Sequence, residues 1–239
     1  WKIGDLASGF QADHAEPGVT IRRQDNLENG GLNTLACVGN TATVVSGDAK
    51  GARGYVTGKH GGVEHVLIWF EQETLEKLGP DDIIQIKSWG TGLAIEELPA
   101  VQCKNLDPDL LVKMNLQIRS GVLEVPVTAA IPAQLMGSGM GSASSHRGDY
   151  DIMTADVGAY KKYELDKLRF GDIVLLQDCD TTFGRGYLEG AVTIGVIVHS
   201  DCLLAGHGPG VTTLLTCKSA KIRGVRDSKA NIGYYLGIL

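Results

Sequence analysis

The sequence TATVVSGDAKGARGYVTG, residues 41–58, shows most clearly which kind of fold the chain adopts. β-Branched residues dominate its two ends, and the glycines between them permit the positive backbone φ angles of a tight turn. The stretch therefore predicts two antiparallel β-strands joined by a short turn. A third strand is predicted at 63–70, where apolar residues follow a second glycine-rich turn.

The rest of the chain is also rich in predicted strands. Hydrophobic residues make up 43% and charged residues 21%, which is typical of a globular protein, and 32 glycines supply many turn positions. Short helices are predicted only at 71–77 and 107–114, so the expected fold class is mainly β, that is, α+β with few short helices. Further strands are predicted at 83–87, 122–131, 173–177, 191–198, 211–216, 220–224 and 232–239.

A chain of 239 residues is long enough for one large domain or two small ones. Residues 1–35 are polar and turn-rich, so we predict an N-terminal arm there and regular structure from about Leu35 onward. A Leu-acid-Lys-Leu pattern before an aspartate and a strand occurs at 75–84 and again at 165–174. It indicates either a duplication or a common way to begin a strand. We predict one β domain at 36–125 and a second β-rich barrel or sandwich at 126–239.

Residues 41–58 also resemble a known motif. With Lys50-Gly51 in the turn and Gly54 at the start of the second strand, the segment is similar to the KOW motif of ribosomal and transcription-elongation proteins. That resemblance implies an SH3-like β-barrel for 36–125 and, with less force, RNA binding. Residues 41–70 carry three Lys+Arg and two acidic residues, so little positive charge for binding phosphates accompanies the motif.

A second resemblance spans nearly the whole chain. Its segments are VVSGDAKG at 44–51, GKHGG at 58–62, MGSG at 136–139, GDYDIMT at 148–154 and GHGPGVT at 206–212. These segments look like an uncharacterised prokaryotic family known only as a domain of unknown function. The resemblance implies a shared fold and no particular activity, so the function has to be argued from the chemistry of the residues.

The formal net charge of −6 lies in the first part of the chain. Residues 1–135 carry 11 Lys+Arg against 17 Asp+Glu, whereas residues 136–239 carry 11 of each. A dedicated nucleic-acid-binding domain is normally basic, so this balance argues against that class. The basic run at 218–229 is an exception, and it indicates either a solvated strand face or a nucleic-acid contact.

The cysteine pattern and the apolar runs bear on location. Five cysteines, an odd number without a Cys-x-x-Cys pair, indicate a reducing, cytoplasmic setting. The longest apolar runs are shorter than the ~20 residues that a membrane helix needs, so we expect no membrane partner. The chain begins at Trp1 without a Met or a charged-then-apolar leader, which indicates a removed leader or a trimmed N-terminus.

Polar pairs directly follow two of the predicted strands. Asp178 and Asp180 come after 173–177, and His199 and Asp201 come after 191–198. Residues i and i+2 of an extended chain point to the same side, so the two pairs can converge on one divalent ion or form an acid–base site. We predict that all four residues are catalytic and that Asp178, Asp180 and His199 are metal ligands. The cofactor is otherwise unknown.

Two unusual loops are predicted to bind the substrate. Residues 136–145 are almost entirely Gly, Ser, Ala and Met, which indicates either an anion cradle of backbone N–H groups or a flexible lid. His207 lies between glycines that allow a ligand to approach the backbone. Each position taken alone is also explained by an ordinary turn, and so is the KHGG turn at 59–62. The predicted substrate-binding residues are His146, Asp149, Asp151, His207, Gly139 and Ser142.

Three functions fit these observations, and we favour the first. It is a hydrolase or related acid–base enzyme that acts on a small polar metabolite, assisted by a divalent metal if one binds. The second is a non-catalytic RNA- or protein-binding module that uses the KOW-like barrel and the basic run at 218–229. The third is a structural homo-oligomer whose glycine-rich loops form subunit contacts. We expect a homo-oligomer in any case, while the substrate and the bond broken stay open.

Overall fold

Strands dominate the structure, with 35% of residues in strands and 16% in helices. The computed structural model describes residues 1–9 and 12–239. The strands are β1 (Val19–Ile21), β2 (Thr41–Val44), β3 (Arg53–His60), β4 (His65–Trp69), β5 (Ile84–Ile86), β6 (Gln102–Cys103), β7 (Gln117–Arg119), β8 (Val122–Val127), β9 (Ala129–Ile131), β10 (Tyr150–Asp151), β11 (Ile173–Asp180), β12 (Gly186–His199), β13 (Gly210–Cys217) and β14 (Ile222–Arg226). The α-helices are α1 (Asn26–Leu35), α2 (Gln72–Leu75), α3 (Pro108–Lys113), α4 (Val157–Lys162) and α5 (Ile232–Leu236).

The described strands form three sheets. The first is an antiparallel, curled half-barrel with the order β1-β4-β3-β2-β5. The second has the order β10-β13-β12-β11-β9, with β6 also paired to β13, and the third has the order β14-β8-β7. The mainly β fold class with few short helices is therefore confirmed. An SH3-like form of the first half stays a prediction.

Residues 41–58 form two antiparallel strands and a turn, as their sequence predicts. β2 pairs with β3 so that Ala42 lies opposite Gly54. A Cβ atom at position 54 would lie 2.0 Å from the carbonyl oxygen of Trp69, so β4 can approach β3 this closely only because residue 54 is glycine. The strand that starts with this close contact, β3, ends at His60.

The apolar core falls into two clusters. The smaller cluster lies against the first sheet and includes Val44, Val56 and Ile68. The larger cluster contains residues from each of the three predicted segments, among them Ile3 from the arm and Val196 from β12. The arm and the sheets therefore share one core. The division into 1–35, 36–125 and 126–239 stays a prediction.

The secondary structure differs from the prediction in several places, among them the helix α4 and the short strands β6, β7 and β10, which the sequence patterns do not predict. Residues 232–239 were expected to form a strand, which is wrong, because they contain α5, whose first turn is capped by the Asn231 side chain. Regular structure also begins well before Leu35, with β1 and α1. The Asp25 side chain caps α1, and the Asn33 amide donates to the carbonyl oxygen of Glu64. These contacts offset the low helix propensity of the glycines within α1.

Candidate metal centre

One edge of the second sheet brings together residues that are far apart in the sequence. β13 lies between β12 and β10, and Gly210 pairs with His199 on one side and with Asp151 on the other. A Cβ atom at position 210 would lie 1.9 Å from Asp149 Oδ2 and 2.3 Å from His199 Nε2. Only glycine at this position allows the imidazole and the carboxylate to meet above the strand.

His199 is fully buried, and one of its ring nitrogens is committed to the backbone. Its Nδ1 lies 2.8 Å from the carbonyl oxygen of Ser200, so Nδ1–H donates there and Nε2 faces the site. Nε2 is 2.6 Å from Asp149 Oδ2, yet neither atom has an aligned hydrogen-bond partner. Two buried polar atoms this close need a proton or a cation to satisfy them.

The carboxylates around His199 favour a positive charge on it. Burial lowers the pKa of His199, but Asp149 and Asp151 outweigh burial and raise the pKa well above its ordinary value. Burial likewise opposes ionisation of Asp151, but the neighbouring His199, His207 and His14 lower the pKa of Asp151. The cluster therefore holds an ionised Asp151 beside an Nε2 atom that accepts either a proton or a metal ion.

A second histidine reaches the cluster from the first sheet. The His60 ring lies 4.2 Å from the His199 ring, centroid to centroid. His60 Nδ1 is 2.5 Å from Glu16 Oε1, and His65 Nδ1 is 3.0 Å from the same oxygen. Burial raises the pKa of Glu16, but hydrogen bonds from His60, Thr20 and His65 outweigh it and lower the pKa to about 2. Glu16 is thus an ionised acceptor that orients the His60 ring and leaves Nε2 free for the site.

The N-terminal arm supplies a third histidine. His14 N–H donates to the carbonyl oxygen of Asp201 at 3.0 Å, and Ala15 N–H donates to Ser200 Oγ at 2.6 Å. These bonds tie the arm to the end of β12 and place the His14 ring 5.0 Å from the His199 ring. His14 Nε2 also lies 3.9 Å from Asp151 Oδ2.

The described residues contain four groups whose nitrogen, sulfur or carboxylate oxygen atoms all lie within 4.8 Å of one another. Imidazole, thiolate and carboxylate groups at this spacing form the donor set of a transition-metal centre. The groups are His14–His60–His199, Asp149–Asp151–His199, His14–Cys202–His207 and Glu16–His60–His65. We call this set of residues the histidine–carboxylate cluster.

Several sequence-predicted site residues lie in this cluster. His199, Asp149, Asp151 and His207 converge there, and His207 Nδ1 is 3.2 Å from Asp151 Oδ2. Asp201 lies next to the cluster, where its carboxylate accepts hydrogen bonds from the N–H groups of Gly9 and Cys202. Asp201 therefore anchors the arm. The catalytic and substrate-binding roles of these residues stay predictions.

Asp178 and Asp180 do not join the cluster. β11 and β12 are antiparallel, so the end of β11 lies beside the start of β12, and Asp180 pairs with Gly186. Asp178 accepts a hydrogen bond from Gly190 N–H, nine positions before His199 on β12, which is roughly 30 Å at ~3.3 Å per residue. The two polar pairs would converge only if both strands ended at the same edge of the sheet. Neighbouring strands do so when they are parallel, whereas β11 and β12 are antiparallel.

The two aspartates also fail to present their carboxylates in one direction. A bulge interrupts β11 between Gln177 and Cys179, and Asp178 adopts a φ of 53°. Asp178 is thus outside the extended geometry in which residues i and i+2 point to the same side. Asp180 caps the following turn by accepting from the N–H and hydroxyl groups of Thr182. The prediction of Asp178, Asp180 and His199 as one ligand set therefore has no geometric support.

The loop at 136–146 packs against the first sheet from the other side of β3. Lys59, which neighbours His60, is fully buried and donates to Asn105 Oδ1 and to the carbonyl oxygen of His146, both at 2.6 Å. His146 therefore lies beside Lys59 and is not part of the four groups. Gly139 and Ser142 lie on the same loop, where Ser142 Oγ accepts from Ser144 N–H at 3.3 Å.

Sequence reasoning did not single out His14, Glu16, His65 or Cys202 as site residues. A usable signal was present, because His14 and Glu16 repeat the i, i+2 spacing of Asp149 and Asp151. Both residues lie in the segment that the sequence predicts as an N-terminal arm. His60 lies in the KHGG turn, whose sequence fits a simple hairpin turn and a ligand contact about equally well. The structure places the His60 ring within the cluster.

Fold and site together define a class: a mainly β protein in which two sheets and an N-terminal arm enclose a histidine–carboxylate cluster. The chain belongs to the family described as "Domain of unknown function (DUF4438)", whose N-terminal part matches residues 1–112 and whose C-terminal part matches residues 113–236. The expected membership of an uncharacterised family is thus confirmed.

A solved structure is similar over almost the entire chain. The protein described as "Crystal structure of TM1086" is 49% identical, with a TM-score of 0.92, and the match covers 98% of this chain and 82% of that one. A search of curated proteins found no match. Among the described residues, no helix is long and apolar enough to cross a membrane.

Proposed function

We propose that the protein is a metal-dependent hydrolase, or a related acid–base enzyme, that acts on a small polar metabolite. The observation that carries the proposal is the contact between His199 Nε2 and Asp149 Oδ2, two buried atoms 2.6 Å apart without an aligned hydrogen bond. With Asp151 these atoms form a group of three donors within 4.8 Å of one another, and His60 belongs to a neighbouring group that shares His199. Imidazoles and carboxylates are donors that suit a divalent transition-metal ion.

Hydrogen bonds orient the residues of such a centre. The Ser200 carbonyl oxygen and the Glu16 carboxylate orient the rings of His199 and His60, and Gly61 N–H donates to Asp149 Oδ1 at 2.6 Å. Asp151 is ionised and faces the same point, where it serves as a ligand or as a proton acceptor. A bound ion would supply Lewis acidity and lower the pKa of a coordinated water.

The cluster is open on one side, which distinguishes a reactive centre from a closed structural one. The His207 side chain is 41% exposed and the His14 side chain 24%, whereas His199 and Asp149 are buried. A small polar molecule can thus reach the cluster from the side of His207.

The test compares the purified protein before and after chelation and after reloading with Zn²⁺, Mn²⁺ or Co²⁺. Hydrolysis of a panel of small esters, amides and phosphomonoesters is measured for the wild type, Asp149→Asn and Asp166→Asn. We expect activity that requires reloading, falls at least 100-fold in Asp149→Asn and persists in Asp166→Asn, a matched change at an exposed aspartate outside the cluster. Activity that survives chelation, or that Asp149→Asn does not change, would contradict the proposal.

The RNA- or protein-binding alternative rests on the KOW-like similarity of residues 41–58. The charges of the structure do not favour RNA, since two arginines of the basic run are ion-paired: Arg223 with Glu124 and Arg226 with Glu164.

Three further expectations from the sequence remain proposals. They are a prokaryotic origin, a cytoplasmic setting, which the odd number of cysteines indicates, and assembly into a homo-oligomer.

A further inference from the structure

We propose that the histidine–carboxylate cluster binds a second metal ion, held by His14, Cys202 and His207 and bridged to the first ion by Asp151. The inference rests on the proposed function, because it adds an ion to the same centre. In this proposal Cys202 binds the metal ion through its thiolate sulfur, as cysteine does in zinc sites. It also makes the centre a two-ion site, a class that hydrolyses phosphoester and peptide bonds by clamping the attacking and leaving groups.

The two oxygens of Asp151 face different histidines. Oδ1 lies 3.4 Å from His199 Nε2, whereas Oδ2 lies 3.2 Å from His207 Nδ1. Asp151 Oδ2 is also the oxygen that approaches His14 Nε2, at 3.9 Å. One carboxylate therefore stands between two sets of nitrogen donors. A bridging carboxylate occupies this position in a centre with two ions about 3.5–4 Å apart.

The second set of donors shares only Asp151 with the first. His14, Cys202 and His207 place one nitrogen or sulfur atom each within 4.8 Å of the others, and Asp151 Oδ2 lies 3.2 Å from His207 Nδ1 and 3.9 Å from His14 Nε2. The first ion would keep His199, Asp149 and the other oxygen of Asp151, with His60 beside His199. Each ion would thus draw on at least three protein donors, the number that catalytic zinc sites use.

Two chain segments deliver His14, Cys202 and His207, and each segment is anchored. The hydrogen bonds of the arm to Ser200 and Asp201 hold His14 in place. Cys202 directly follows Asp201 and is 2% exposed, and its Sγ accepts a hydrogen bond from Leu204 N–H at 3.3 Å. His207 N–H donates to the carbonyl oxygen of Leu204 at 3.1 Å, which closes the loop between the two ligands.

The group Glu16–His60–His65 is a poorer candidate for the second ion. The carboxylate of Glu16 already accepts hydrogen bonds from His60 Nδ1, His65 Nδ1 and Thr20 Oγ1. Its lone pairs are thus used by N–H and O–H donors, as expected of a carboxylate that orients a ligand. In contrast, the described contacts of Asp151 in the cluster are all to imidazole nitrogens.

The donor type predicts which ions bind. A thiolate with two imidazoles selects Zn²⁺ or Co²⁺ over Mg²⁺ and Ca²⁺, which prefer oxygen ligands. The protein is stripped with a chelator and titrated with Co²⁺ under reducing conditions, and bound ion is counted by equilibrium dialysis and elemental analysis. The near-ultraviolet thiolate-to-cobalt charge-transfer band is recorded on the same samples. The variants are Cys202→Ser, His207→Ala and, as a matched control, Cys103→Ser on β6.

We expect two ions per chain and a thiolate band in the wild type and in Cys103→Ser. Cys202→Ser is expected to keep one ion and lose the band, and His207→Ala to bind the second ion at least tenfold more weakly. One ion without a thiolate band in the wild type, or two ions in Cys202→Ser, would overturn the second site alone. No bound ion in the wild type would overturn the proposed function as well.

Discussion

At the scale of single residues, backbone contacts decide which atoms face the site. His199 Nδ1–H donates to the Ser200 carbonyl oxygen, and Gly61 N–H donates to Asp149 Oδ1. The remaining atoms, His199 Nε2 and Asp149 Oδ2, lie 2.6 Å apart. Both side chains are thereby pre-oriented without help from a bound ion. Such pre-orientation is costly to build around a neutral site and is expected where a cation binds.

Gly210 is the residue whose change tests this geometry most simply. In Gly210→Ala the new methyl group would overlap Asp149 Oδ2 and His199 Nε2, so we expect loss of metal binding and a destabilisation of about 1–3 kcal/mol. Gly31→Ala, where a Cβ meets nothing within 4 Å, serves as the control. Isothermal titration and chemical unfolding measure the two effects. Wild-type metal affinity in Gly210→Ala would disprove the overlap.

Lys59 predicts a dependence of stability on pH. Burial lowers the pKa of Lys59 from its ordinary 10.5 to about 7, and both of its acceptors are neutral. Between these two values the unfolded chain binds one more proton than the folded chain. The free energy of unfolding should therefore rise with pH across this window, by up to about 1.4 kcal/mol per pH unit from this group, and level off above 10.5.

The measurement compares urea unfolding of the chelated wild type and of Lys59→Met from pH 6 to about 10. Other groups also titrate in this range, so the difference between the two proteins isolates the lysine. We expect the wild type to gain stability relative to Lys59→Met as pH rises. A difference that stays constant with pH would mean that Lys59 is charged in the folded protein throughout.

At the scale of elements, the arm and the β3–β4 turn complete a site that the second sheet only begins. His14 and Glu16 come from the arm, and His60 comes from the end of β3. Glu16→Gln should therefore weaken metal binding about 10- to 100-fold by loosening the His60 ring, without removing any ligand. Glu28→Gln, which affects only an exposed pair with Arg23, is the control. Equal metal affinities in both variants would refute this role of Glu16.

Element patterns also show how far the sequence could predict the structure. The hairpin at 41–58 and the capped helix α3 follow from turn glycines and from Asp107-Pro108, which are local signals. The separation of Asp178 and Asp180 from His199 has a cause that local patterns do not show. Whether strand ends meet depends on strand direction, and direction is set by pairing that no local window contains. For the same reason, the sequence alone does not predict that the arm packs against the end of β12.

At the scale of the whole molecule, metal binding and folding should be coupled. The donors range from His14 to His207 and come from segments that share one apolar core. An ion that binds only the folded chain stabilises it by about 2.7 kcal/mol at a concentration 100 times its Kd. For a chain of this size the unfolding temperature should rise by about 2–4 °C per kcal/mol.

Differential scanning calorimetry with and without Zn²⁺ tests this coupling. The rise in unfolding temperature should be smaller in Asp149→Asn, which loses a ligand of the first ion, and keep its wild-type size in His146→Ala. A rise of equal size in all three proteins would show that the ion acts elsewhere.

The whole-molecule picture also explains why the cluster was only half predicted. Asp149, Asp151, His199 and His207 all lie in the C-terminal half, where polar residues near strand ends stood out in the sequence. Their partners lie in the N-terminal half and arrive through the packing of two sheets. Local patterns thus revealed one side of the site, and the long-range contacts that complete it could not be derived from one sequence.

The most direct test of the metal centre is a crystal of the protein grown with Zn²⁺ or Co²⁺ and measured at the absorption edge of that metal. We predict an anomalous peak about 2.0–2.2 Å from both His199 Nε2 and Asp149 Oδ2. No peak there, with His199 Nε2 still 2.6 Å from Asp149 Oδ2, would show that the pair is an imidazolium–carboxylate ion pair and would contradict the metal centre.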